Sequence, residues 1–96
     1  MATTTSGWFN SKSKVLTGSF DEFEENSPSL CVKNCAGNGF MLAGVENGNE
    51  CYCGDEMPDD KLKVSKNICN DQCPGDKDES CGGYDAMNLF EVKKFD

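Results

Sequence analysis

The 96-residue sequence contains no histidine and few large apolar side chains. Leucine, isoleucine, valine and phenylalanine together number 17, under a fifth of the chain, and the formal net charge is -8. Such a chain buries too little apolar surface to offset the backbone entropy lost on folding, which is roughly 1 to 2 kcal/mol per residue. We therefore expect the seven cysteines to supply stability through covalent links, as in small domains of oxidising compartments.

The absence of histidine also removes the commonest general base and a common zinc ligand. The sequence shows no Ser-His or Cys-His pair and no glycine-rich phosphate loop, so we expect a protein without catalytic activity. The cysteine spacings are C-x3-C, C-x-C and C-x3-C, whereas structural zinc sites usually use C-x2-C. We therefore expect disulfides, with neither a metal site nor a cofactor.

Acidic side chains outnumber basic ones by 17 to 9. This excess repels nucleic acid and anionic membrane surfaces, so we expect no nucleic-acid partner and no membrane contact by this domain. Residues 1–8 have neither the charged nor the apolar segment of a signal peptide, and no stretch approaches the roughly 18 apolar residues of a membrane span. Because disulfides need an oxidising compartment, we expect an extracellular or cell-surface domain, trimmed of its signal peptide and any membrane anchor.

The stretch NSPSLCVKNCAGNG is typical of a short helix. Ser27 is placed to cap it, Pro28 suits its first position, and the glycines of AGNG can end it. Cys31 and Cys35 then lie on one helical face, separated by about 6 Å of rise.

The stretch GFMLAGVENGNECYC is typical of a β-hairpin, with Asn47 and Gly48 supplying the positive φ angles of its turn. Cys51 and Cys53 then share one face of the second strand, about 6.6 Å apart. By the same alternation, Tyr52 projects from the opposite face of that strand.

The spacings of these two cysteine pairs match, so two parallel disulfides can join a helix carrying C-x3-C to a strand carrying C-x-C. We expect Cys31 to bond Cys51 and Cys35 to bond Cys53. Geometry alone also permits the crossed pairing, if the helix runs the other way.

The remaining sequence predicts a final strand over Ala86–Val92, paired with an N-terminal strand around residues 7–10. Residues 54–67 are expected to be mostly loop, anchored by Leu62 and Val64. The predicted class is α+β: a small, loop-rich, disulfide-rich domain with a short helix stapled onto a small antiparallel sheet. We expect a disordered tail at residues 1–6, one domain at 7–93 and a second tail at 94–96.

Four motifs occur in the order CVKNC, GFMLAGVENGNECYCG, CNDQCPGD and CGGYDAMNLF. Together they resemble the WSC domain, the extracellular cysteine-rich module of fungal cell-wall stress sensors, which also occurs in secreted fungal carbohydrate-active enzymes and some animal receptors. The resemblance covers residues 7 to 92. It implies a short helix on an antiparallel sheet, eight cysteines in four disulfides, the parallel pairing of the helix and C-x-C cysteines, and a bond between Cys73 and Cys81.

The chain departs from that family at its first cysteine. Trp8 stands where this cysteine is expected, and the position of its usual partner matches Cys69. We therefore expect Cys69 to be a free thiol, buried and inert, with Trp8 filling the space of the lost bridge. The alternative is a reactive or intermolecular thiol.

A neutral partner fits the acidic balance better than a polyanion, and polysaccharide is such a partner. Sugar recognition needs an aromatic face for the apolar side of a pyranose ring and planar polar groups for its hydroxyls. Trp8, Phe9 and Phe90 are expected in the core first, because large apolar side chains are scarce. The candidate ligand-binding residues are Tyr52, Tyr84, Trp8, Asn47, Asn49, Asp85 and Asn88.

Two functions follow from these features. The first is a non-catalytic carbohydrate-binding module for fungal cell-wall polysaccharide, β-glucan or mannan, serving as a sensor ectodomain or as an accessory domain of a secreted enzyme. The alternative is a protein-interaction or mechanical-spacer module that self-associates weakly or meets a protein partner.

Overall fold

The computed structural model describes residues 2–12 and 15–93. The strands are β1 (Ala2–Asn10), β2 (Ser19–Glu22), β3 (Leu42–Glu46), β4 (Glu50–Gly54), β5 (Gln72–Cys73), β6 (Asp76–Ser80) and β7 (Ala86–Lys93), and the helix is α1 (Pro28–Gly37). An antiparallel sheet has the order β1-β7-β3-β4-β2, and β5 and β6 form a separate two-stranded ribbon. This is the α+β class expected from the sequence. Within the described residues, no helix has the length and apolar character needed to cross a bilayer.

Helix α1 begins and ends where its sequence predicts. The Ser27 side chain accepts a hydrogen bond from the Leu30 backbone N–H at 3.1 Å, and Pro28 occupies the first turn, where no intrahelical donor is needed. Beyond the last turn, Gly39 has a φ angle of 86°, which is the left-handed conformation that commonly follows a helix.

Two parallel disulfides join α1 to β4. Cys31 is bonded to Cys51 and Cys35 to Cys53, with Cα atoms 5.5 and 5.4 Å apart. We call this side of the sheet the helix face. Around the two bonds it buries a cluster of apolar side chains that includes Val32, Ala43, Val45 and Phe90.

The opposite side of the sheet, which we call the cleft face, has its own smaller core. Leu16 packs over Gly44 and Gly54, where the missing side chains leave room for it. Tyr52 and Leu62 pack at the margin of this core. Its buried members are Phe9, Leu16, Leu42, Met87 and Leu89.

The hairpin predicted around the C-x-C motif is confirmed. Asn47 and Gly48 have φ angles of 51° and 80°, and the register pairs Val45 with Cys51. The next segment, 54–67, contains one short 3-10 turn at Asp60–Leu62, and a second follows at Lys66–Ile68. The Val64 N–H donates to the carbonyl of Trp8 at 2.9 Å.

Three parts of the chain differ from the sequence-based expectation. Strand β1 begins at Ala2, and residues 2–5 are paired with β7 where a disordered tail was expected, because β7 is long enough to offer them hydrogen-bond partners. Strand β2 and the β5-β6 ribbon were not predicted. The expected 94–96 tail lies outside the described residues.

The β5-β6 ribbon is closed by the third disulfide, between Cys73 and Cys81. Strand β6 is the charged run DKDES, which has none of the alternation of a half-buried strand. The Asn26 carbonyl accepts the Gly75 N–H at 2.9 Å and so ties the ribbon's turn to the segment before α1.

Candidate functional site

The cleft face carries an open cleft of about 350 Å³. Its lining comes from Ser11, from residues 15–17, and from five residues of the sheet: Ser19, Phe20, Glu46, Tyr52 and Met87. The cleft therefore lies between the segment that precedes β2 and the strands β3, β4 and β7. Ser19, the register partner of Cys53, has a buried hydroxyl without a hydrogen-bond partner among the described residues.

An aromatic pair forms one wall of the cleft. Phe20 and Tyr52 are direct partners in the β2-β4 register, and their ring centroids lie 4.8 Å apart at an angle of 39°. Phe20 is 47% exposed and Tyr52 is half-buried. The predicted direction of Tyr52, away from the helix, is confirmed, since it packs with the cleft-face core.

Hydrogen bonds link the polar residues at the end of the cleft. The Ser11 hydroxyl donates to Glu46 Oε1, and the Asn47 amide donates to Glu46 Oε2 at 3.4 Å and to Glu50 Oε1 at 3.2 Å. The same Glu50 oxygen accepts the Tyr52 hydroxyl at 3.1 Å. Serine, asparagine and tyrosine donors thus orient two neighbouring carboxyl groups.

The buried carboxyl group of this network is Glu46, which is only 7% exposed. Burial raises its pKa to about 7; the hydrogen bond from Ser11 opposes the rise, and the charges of Glu50 and Asp85 add to it. Burial also raises the pKa of Tyr52, with the charge of Glu46 as the next cause. Near neutral pH the Glu46 group can therefore either donate or accept a hydrogen bond.

Several predicted ligand residues gather at this end of the sheet. Asn47 belongs to the network, and Asn49 follows it in the same turn, where its carbonyl accepts the Phe23 N–H at 2.9 Å. Asp85 has a φ angle of 53° and accepts the Ser11 N–H through its carbonyl at 2.8 Å. Tyr84 is 83% exposed and does not line the cleft.

Asn88 and Trp8 are not brought into the cleft. Asn88 is 6% exposed, accepts the Gly82 N–H at 3.2 Å and donates to the carbonyl and hydroxyl of Ser80. These bonds hold the turn that leads into β7. Trp8 is half-buried and is the register partner of Asn88 in β1.

Cys69 is a free cysteine and is buried, at 2% exposure. Burial raises the pKa of its thiol to about 11, and the charges of Glu46 and Asp71 contribute. A thiol with this pKa is almost entirely protonated at neutral pH, so it is a poor nucleophile. The geometry thus favours the inert alternative over the reactive one.

The site residues that were not predicted from the sequence include Phe20, Glu46, Glu50 and Ser11. Phe20 sits in the short strand β2, whose neighbours Asp21 and Glu22 suggest a loop. Glu46 belongs to a hairpin strand in which a glutamate is ordinarily exposed. The alternation of β4 offered a signal for Phe20, because an aromatic side chain such as Tyr52 pairs favourably with an aromatic neighbour on the adjacent strand.

The sequence comparisons agree with the fold and the cysteine framework. A family model described as the WSC domain matches residues 4–83. The chain belongs to the WSC domain family. The resemblance inferred from the four cysteine motifs is thereby confirmed.

Relatives of this WSC domain come from animals and fungi. Xylosyltransferase oxt of Drosophila pseudoobscura pseudoobscura is 40% identical over 80 residues, which are 82% of this chain and 9% of that protein. A WSC domain-containing protein of Arthroderma benhamiae is 38% identical over 84 residues, covering 88% and 11% of the two chains. Protein SLG1 of Saccharomyces cerevisiae is 35% identical over 72 residues, covering 75% and 19%. The chain thus spans less than a fifth of each of these relatives.

Proposed function

We propose that this WSC domain is a non-catalytic, extracellular carbohydrate-binding module that recognises cell-wall polysaccharide such as β-glucan or mannan. It would act as the ectodomain of a sensor or as the accessory domain of a secreted enzyme. The observation that carries the proposal is the aromatic pair of Phe20 and Tyr52 beside a polar cleft. The occurrence of related segments in longer proteins of different kinds supports a modular role.

The aromatic pair offers the surface that a sugar ring requires. The axial C–H groups of a pyranose make its faces apolar, and an aromatic ring half-exposed to solvent covers such a face without losing its packing on the sheet. The exposed part of Phe20 is 47%, and its contact with Tyr52 holds it in place. Because the contact already exists in the free domain, little side-chain entropy is lost on binding.

The polar residues beside the pair can bind the hydroxyl groups of the same sugar. Glu46, Glu50 and Asn47 present planar groups with fixed orientations, which can form paired hydrogen bonds to neighbouring hydroxyls. The cleft volume of about 350 Å³ lies at the small end of ligand sites, so it holds few sugar units. We expect weak binding by each domain.

The proposal is tested by retention on insoluble β-1,3-glucan, yeast mannan and chitin. The oxidised domain should be retained on at least one polymer, and a reduced and alkylated sample should not. Phe20→Ala and Tyr52→Ala should weaken retention about tenfold, because each removes part of the stacking surface. Met57→Ala, which removes a side chain of similar exposure outside the cleft lining, should bind as the unchanged chain does.

Two results would overturn the proposal. One is a domain that is folded by circular dichroism but is retained on none of the polymers. The other is retention that survives loss of both aromatic side chains. Release of new reducing ends during the incubation would contradict the non-catalytic part of the proposal.

A second candidate function is protein interaction through a different surface. Ile68 is 51% exposed and Tyr84 is 83% exposed, and Gly83 packs against the Ile68 carbonyl, which brings the two segments together. Exposed apolar and aromatic side chains of this kind are common at interfaces. Sedimentation equilibrium tests it: self-association that is abolished by Tyr84→Ser would favour this function, and a monomer at all concentrations would count against it.

A further inference from the structure

We propose that the cleft prefers glycans that carry free amino groups over the same glycans in N-acetylated form and over neutral glucans. This inference rests on the proposed function and narrows its ligand class. It is carried by a row of glutamates that runs alongside the aromatic pair.

The row consists of Glu46, Glu50 and Glu22 on three neighbouring strands. Glu46 is the register partner of Glu50 in the β3-β4 pair, and Glu22 is the register partner of Glu50 in the β2-β4 pair. Register partners point to the same face of a sheet, with Cβ atoms about 4.5 to 5.5 Å apart. Three carboxyl groups are thus lined up across the strands, and where they are ionised their like charges destabilise the sheet.

No ammonium group among the described side chains forms an ion pair with the row. The ion pair that the described residues contain joins Lys63 to Asp60, in the segment after β4. Lys12 follows Ser11 and is exposed; Lys14 lies outside the described residues. Another negative charge lies near the row, that of Asp85, which adds to the effect of Glu50 at Glu46.

The row lies two residues along the strands from the aromatic pair. Glu50 and Tyr52 are two apart in β4, and Phe20 and Glu22 are two apart in β2, so all four share the cleft face. Residues two apart on a strand are about 6.6 Å apart, which is close to the width of one pyranose ring. A ring stacked on the pair can therefore place a substituent against the glutamates.

An amino group is the sugar substituent that this geometry suits best. As an ammonium it carries three donors and a positive charge, so it can form charge-assisted hydrogen bonds with two carboxylates of the row. It would also relieve their mutual repulsion. Acetylation of the amino group removes the charge and leaves one donor. A hydroxyl group also has no charge, and the glutamates would repel an acidic sugar.

Calorimetric titration with three hexamers tests the preference: one of glucosamine, one of N-acetylglucosamine and one of β-1,3-linked glucose. At low salt and about pH 5.5, the glucosamine hexamer should bind at least about tenfold more tightly than the other two. The difference should shrink as salt is raised, because exposed charges are screened. Glu50→Gln should reduce the preference to within about twofold.

Two further measurements test whether the glutamate row itself causes the preference, and not the net charge of the domain. Glu91→Gln removes the same charge from an exposed position of β7 outside the cleft lining, so the preference should remain about tenfold. The pKa of Glu46 is about 7, so a bound ammonium should displace its proton at pH 5.5. Titrations in two buffers of different ionisation enthalpy should detect proton release with the glucosamine hexamer and none with the glucose hexamer.

The outcomes distinguish this inference from the proposed function. Equal affinity for the three hexamers, or a preference that persists in Glu50→Gln, would overturn the inference and leave carbohydrate binding standing. Absence of binding to every hexamer and every polymer would overturn both.

Discussion

The two faces of the five-stranded sheet differ in how they are held together. The helix face is built from two disulfides and apolar side chains, including Val32 and Phe90. The cleft face has a smaller apolar core, and beside it lie a half-exposed aromatic pair and three neighbouring glutamates. Covalent links on the helix face stabilise the sheet, so the cleft face can carry groups that lower stability but can serve binding.

The largest effect should come from the helix face. Replacing Cys31 and Cys51 together by serine should lower the free energy of unfolding by about 2 to 5 kcal/mol, because the bond restricts the unfolded chain. Guanidinium unfolding followed by fluorescence of Trp8 measures the change. Replacing Cys73 and Cys81 by serine should lower the free energy of unfolding by less, because this disulfide closes a shorter loop. Equal losses from the two pairs would contradict the special role of the helix face.

The next largest effect concerns the turn beside the glutamate row. Gly82 has a φ angle of 73°, and a Cβ atom there would lie 2.4 Å from the Val45 carbonyl oxygen. Gly82→Ala should therefore lower the free energy of unfolding by about 2 to 3 kcal/mol. Gly37→Ala is the control, since that Cβ meets nothing within 4 Å at the end of α1, and thermal unfolding should show it neutral or slightly stabilising.

A pH effect should be confined to the cleft face. The pKa of Glu46 rises on folding from 4.5 to about 7, so the folded state binds its proton more tightly. Its contribution to stability is therefore present below pH 4.5 and is lost as pH rises to about 7, by on the order of 2 kcal/mol. Urea unfolding across this range should show the decline in the unchanged chain and in Glu91→Gln. A decline of the same size in Glu46→Gln would show that another group is responsible.

The smallest effect on stability should come from the aromatic wall. Phe20→Ala should change the free energy of unfolding by less than about 1 kcal/mol, because 47% of the side chain is already exposed. The same variant should lose most of its polysaccharide retention. A large loss of stability would mean that Phe20 serves the fold more than recognition.

Features set by local spacing could be predicted from the sequence. The C-x3-C and C-x-C spacings constrain which cysteines can meet, and Ser27 with Pro28 marks the start of α1. The Asn47-Gly48 turn fixes the hairpin, and this in turn fixes the direction of Tyr52. Each of these depends on residues within a few positions of one another.

Features set by distant contacts could not be predicted. Strand β2 exists because Phe20 pairs with Tyr52, more than thirty positions away in the chain. Glu46 is buried because Ser11 hydrogen-bonds to it and the segment that precedes β2 covers this part of the sheet. The site therefore contains two residues, Phe20 and Glu46, whose surroundings only the folded chain reveals.

The most direct test of a binding cleft on the face opposite the helix is a titration of the ¹⁵N-labelled domain with β-1,3-glucan hexamer, followed by amide chemical shifts. We expect shifts concentrated in residues 19–22 and 46–52, with little change in α1. Shifts confined to α1 or to the segments around Ile68 and Tyr84 would contradict it.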